Sequence, residues 1–158
     1  YFNNQPKKIN NYNSFSITGD VYNRYIKFLK ICWFSHGCFY ALIRKKYLQD
    51  FNFNIPPSIA IDWMIDVHLL SYGSFNRNKN NYIIMSIDGT STKKNFYFKN
   101  NIIRLSSFIP LSRFNYFFTN KLVELNNFDI YKRYFLKIKL FKVNIQMFNK
   151  MIKILLKS

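Results

Sequence analysis

Residues 58–70 read SIAIDWMIDVHLL. This is one of the most apolar stretches of the chain, yet it holds Asp62 and Asp66. The whole sequence has only 7 Asp and Glu against 24 Lys and Arg. Two acids placed here need a cause, because an ionised carboxylate among Ile, Trp, Met, Val and Leu is costly unless something pairs with it. Pro56 and Pro57 stop any helix before the stretch, Ser58 can cap one, and Gly73 stands where a helix ends. The spacing therefore predicts a helix over 59–72. Asp62 and Asp66, four apart, share one of its faces. Asp62 falls near the first turn, where the positive end of the helix dipole favours an anion. Ile61, Ile65 and Leu69 form one apolar stripe and Trp63, Val67 and Leu70 another, as in a helix packed inside a domain.

The two acids read differently. Asp66 is expected to be solvated. Asp62 is either a plain first-turn acid or a general base at the edge of a cleft. A base that takes a proton from a hydroxyl must be ionised, fixed and within hydrogen-bond reach, and a helix N-terminus does the fixing. His68 completes no zinc spacing with the two acids and reads as a core or surface histidine. His36, in Ser35-His36-Gly37, reads as a turn residue or as a side chain lining the same cleft as Asp62.

Working outward, residues 1–18 are Asn-rich and form an extended lead-in, with a short strand expected at 14–18. Gly19-Asp20 marks a turn, and Asp20 can cap a helix through about Lys30 with Val21, Tyr25 and Phe28 on one face. After the Ser35-His36-Gly37 hinge, a helix is expected from Cys38 to about Phe51; the apolar run that opens it ends in the basic cluster Arg44, Lys45 and Lys46. NYIIMSI, residues 81–87, is short, apolar and bounded by turn residues, and reads as a buried strand. Asp88-Gly89-Thr90-Ser91 ends it, and a basic loop with Lys93 and Lys94 follows. Beyond Pro110 the pattern is helical, with helices expected at 119–128 and 129–156.

The totals bound the function. At 158 residues the chain is one domain or a large piece of one. Hydrophobic residues make up 49%, enough for a core. The net charge of +17 draws anions, whether phospholipid head groups, nucleotide phosphates or nucleic acid. No RNA-binding aromatic signature, zinc-finger spacing or Gly-rich phosphate loop appears, so nucleic acid is not the expected partner. Cys32 and Cys38 make no disulfide framework and read as inert thiols of a reducing cytoplasm. No apolar run is long enough to span a membrane. The basic stretch 131–157 is instead expected to touch an anionic inner leaflet from the cytoplasmic side.

Taken in order, HGCFYALIRKKYL, IAIDWMIDVHLLSYG, a strand and DGTSTKKN resemble the second half of a family 2-like glycosyltransferase of the GT-A fold. The resemblance covers about 33–95. It implies an α/β fold: a partial GT-A-like, Rossmann-like half with few strands over 19–118, followed by a helical basic tail over 119–158. It implies transfer of a sugar from a nucleotide-diphospho-sugar to a hydroxyl of a saccharide or lipid-linked acceptor. Asp62 would then be the catalytic base and Trp63 would shape the acceptor pocket, with His36 and Gly37 on the acceptor side. Gly89, Thr90, Ser91, Lys93 and Lys94 would lie near the sugar diphosphate. The family's Asp-x-Asp is not in this sequence. The resemblance therefore also implies a truncated chain, starting at Tyr1, whose missing half would hold a divalent metal, Mg or Mn. The competing reading is a basic, non-enzymatic module that binds anionic membrane or nucleic acid.

Overall fold

A computed structural model describes residues 16–34, 41–54, 60–76, 111–125 and 127–156. Four α-helices carry them: α1 Val21–Ile31, α2 Ile61–Tyr72, α3 Ser112–Glu124 and α4 Ile130–Leu156. Single 3-10 turns occupy Cys32–Phe34 and Lys45–Tyr47. Helix α1 packs on α2 and α4, and α3 packs on α2 and α4. The expected α/β class is corrected: the described residues are mostly helical and contain no strand or sheet. Their β pairing is one antiparallel bridge, Ile17 with Phe75, closed by two backbone hydrogen bonds of 2.9 and 3.0 Å. The strand expected at 81–87 lies outside the described residues.

Helix α1 starts as its sequence requires. The Asp20 carboxylate accepts the Asn23 amide at 2.7 Å, which satisfies one of the donors left open in a first turn. Gly19 precedes it at φ 111°, a backbone that L side chains rarely adopt. Tyr25, Phe28 and Leu29 are buried, and so is Arg24.

Helix α2 is the centre of the core. Every residue from Trp63 to Leu70 is buried, so no face of these two turns is left to water. The helix begins at Ala60, which is left-handed at φ 66° and makes no side-chain cap. Ser58, the expected cap, lies outside the described residues. Gly73 ends the helix in an extended conformation, its amide on the Leu69 carbonyl at 3.1 Å.

Residues 41–54 depart from the helix expected there. Their backbone bonds are three-residue closures: Tyr47 to Arg44, Leu48 to Lys45 and Phe51 to Leu48, at 3.0 to 3.1 Å. An α-helix would give the Tyr47 carbonyl to the amide four residues on. Here the His68 ring takes it, at 2.9 Å. Phe51 is buried against His68 and Phe117, so a core contact has displaced a helical ladder.

Helix α3 begins soon after Pro110, earlier than expected, because Leu111, Phe114, Phe118 and Leu122 give it a full apolar stripe. Helix α4 matches its expected span and buries Leu136, Leu140, Val143, Met147 and Met151. One core joins 19–118 to the tail: Tyr25 meets Phe118 and Phe128, and Trp33 donates to Gln146 on α4 at 2.7 Å. Between α3 and α4, Asn115 and Asn144 exchange two amide hydrogen bonds of 2.9 Å.

Arg24 ties these parts together. Its Nε donates to the Leu70 carbonyl at 2.8 Å, and its two terminal nitrogens reach Gly19 at 2.6 Å and Ser71 at 3.5 Å. Charged hydrogen bonds of this kind contribute about 1.5–3 kcal/mol each where they are well formed. Arg24→Met is expected to lower unfolding free energy by about 2–4 kcal/mol. Arg24→Lys should recover only part of it, since a single ammonium cannot reproduce the fork. Urea midpoints of the three proteins check this; equal midpoints would exclude the role.

Candidate functional site

The junction where α1 ends and α2 begins holds the acids singled out in the sequence. Asp62 is half-buried in the first turn of α2. Its negative charge reaches Cys32, at the end of α1. Burial pushes the Cys32 thiol up to about 12, and the Asp62 carboxylate adds to that rise. With its hydrogen on the Leu29 carbonyl at 3.7 Å, this thiol is a poor nucleophile at neutral pH.

Trp63 faces inward from the same turn. Its ring packs edge to face with Trp33 at 5.1 Å, Phe114 at 5.7 Å and Phe28 at 6.5 Å. This aromatic cluster joins α1, α2 and α3 and fixes the backbone that carries Asp62. Lys150 of α4 closes it from outside, with its ammonium 5.6 Å from the Trp33 ring.

Asp66 is not solvated, as the sequence had suggested, but fully buried one turn further along α2. The physical reason is the all-round packing of α2. Once Ile65 and Val67 on one side and Leu69 and Leu70 on the next turn are all interior, no direction from Asp66 leads to water. The pair thus divides into a rim carboxylate, Asp62, and an interior one, Asp66.

His68 is a core histidine, exposed by only 1%. It packs edge to face with Phe51 and Tyr72, with ring centroids 5.3 and 5.2 Å away. Because its Nε2 faces a carbonyl, that nitrogen carries the proton and donates. Among the described residues no group of three or more His, Cys, Asp or Glu is placed to hold a metal.

The other expected site residues, His36, Gly37, Gly89, Thr90, Ser91, Lys93 and Lys94, lie outside the described residues. Arg24 is the residue that sequence reasoning missed. The signal was present: Arg24 sits between Val21, Tyr25 and Phe28 on the apolar face of α1, where a cation has no business unless it finds acceptors. No family model, curated protein or solved structure matches the chain.

His68 sets a pH dependence. Burial holds its pKa below the ordinary value of about 6.5, opposed by the bond to Tyr47. Below the unfolded-state value the unfolded chain binds a proton that the folded chain resists, so stability falls as pH falls. The loss begins near pH ~6.5 and continues down to the lowered folded value. Wild type is expected to lose stability relative to His68→Gln over that window, in thermal melts at matched ionic strength. Parallel curves would show that His68 titrates alike in both states.

Proposed function

We propose that the chain supplies the acceptor side of a sugar-transfer enzyme, with Asp62 as general base. The donor is a nucleotide-diphospho-sugar, and the acceptor is a hydroxyl of a saccharide or lipid-linked saccharide. The reading rests on the α1–α2 junction and on the order of motifs over 33–95, not on a GT-A architecture. One observation carries it. Trp33, three residues before His36, packs at 5.1 Å on Trp63, the residue after Asp62. The chain just before the Ser-His-Gly motif is thus packed beside the start of α2, 30 residues on in the sequence.

Asp62 has the attributes a base needs. It is half-buried, and its helix is held by the packed neighbour Trp63. In the step proposed, Asp62 takes the proton of the acceptor hydroxyl. The oxygen bonds to the anomeric carbon, and the bond from that carbon to the diphosphate breaks. The nucleoside diphosphate leaves with the electron pair. Lys93 and Lys94, close in sequence to Gly89, Thr90 and Ser91, are assigned to neutralise it.

The test uses the chain joined to a nucleotide-sugar-binding half and follows transfer of labelled sugar to membrane-extracted acceptors. Asp62→Asn is expected to lower turnover by about 10²–10⁴-fold while leaving nucleotide-sugar binding nearly intact. Asp66→Asn should keep most of the turnover per folded molecule, since it is interior. Full transfer by Asp62→Asn would remove the catalytic assignment. Equal loss in both variants would mean that the pair acts as a unit.

A further inference from the structure

We propose that α4 lies flat on an anionic lipid bilayer, with a second apolar ridge turned to the acyl chains and lysines along its borders. The proposal stands whether or not the chain transfers sugar. Helix α4 has two apolar stripes. Leu136, Leu140, Val143, Met147 and Met151 face the core. At 100° per residue, Tyr131, Tyr134, Ile138, Phe141 and Ile145 fall on the opposite side. They are exposed: 83% for Tyr131, 67% for Tyr134 and 66% for Phe141. Leu156, about three turns beyond Ile145, is exposed on the same side. Isolated exposed apolar groups are ordinary, but an unbroken row from Tyr131 to Ile145, about 21 Å of helix, marks a contact surface.

The charges decide what the surface meets. Residues 130–156 contain seven cations, Lys132, Arg133, Lys137, Lys139, Lys142, Lys150 and Lys153, and no acid. Lys137 borders the ridge on one side, and Lys142 and Lys153 border it on the other. All three are exposed. A second copy of α4 is a poor occupant. The ridge repeats at three and four residues, as a coiled-coil seam does, but parallel pairing would set Lys137 against the partner helix's Lys142. An anionic bilayer satisfies both features at once. It takes the apolar row into its outer acyl layer and pairs the flanking lysines with head-group phosphates. Among the described residues no helix is long and apolar enough to cross a membrane, so the contact is parallel to the surface.

The experiment is vesicle flotation of the full chain. The probes are phosphatidylcholine vesicles with about one-third phosphatidylglycerol, and phosphatidylcholine alone. Binding is expected only to the first, and to weaken with salt. The double variant Ile138→Glu, Phe141→Glu changes only exposed positions, so its melting temperature should match wild type. It is expected to lose at least about tenfold in vesicle binding. Lys137→Glu with Lys142→Glu should lose binding while keeping the ridge. Equal flotation with neutral vesicles, or unchanged binding in the ridge variant, overturns the proposal. So does a dimer in sedimentation that the ridge variant dissolves, or ridge-dependent binding to RNA with none to vesicles.

Discussion

A single guanidinium sets the geometry of this protein. The last carbonyls of α2 have no partner in their own helix, and the turn at Gly19 exposes another. Arg24 meets three of these carbonyls, those of Leu70, Ser71 and Gly19, from a buried position on α1. Its charge is also of the right sign for the negative end of α2. The Ile17–Phe75 bridge lies just beyond, and joins the chain entering α1 to the chain leaving α2. With this end fixed, the aromatic cluster around Trp63 closes the other end of the same helix pair. The rim position of Asp62 follows from both.

Much of the helical content could be read from the sequence, for physical reasons that differ by element. Asp20 stands before an apolar face, and the cap and α1 both form. The stretch 61–72 is apolar all round, and α2 is interior all round. Apolar residues recur through the lysines of 130–156, and α4 forms over that span. The segment 38–51 misled because local composition favours a helix there, while the His68 ring and the buried Phe51 ring compete for the same backbone. That competition is tertiary and leaves no mark on a local pattern. Among the described residues the expected sheet is absent on another ground: residue 17 pairs with residue 75 through one bridge alone, with no ladder to follow.

The site was legible in part. Asp62 could be placed on a first turn from the prolines and the helical period alone. Its difference from Asp66 could not, because four residues apart on one helix says nothing about which end of the face reaches water. That answer came from the neighbours of α2, chiefly α1 and α3. Trp63 illustrates the same limit. Its sequence neighbour invites a role at a pocket wall, while its ring is a keystone of the interior, touching Phe28, Trp33 and Phe114.

The amide pair between Asn115 and Asn144 carries a consequence for α4 as a whole. A cylinder with oil on two opposite sides has two nearly equivalent ways to roll against its neighbours, and hydrophobicity alone would not choose. Asn144 also donates to Leu140 within its own helix, which helps to hold its amide toward α3. Half a revolution would strand both carboxamides, one in solvent and one facing hydrocarbon, at a cost of about 1–3 kcal/mol for the latter. Two uncharged side chains thereby act as a rotational key, and decide which greasy strip becomes interior and which is shown to the world.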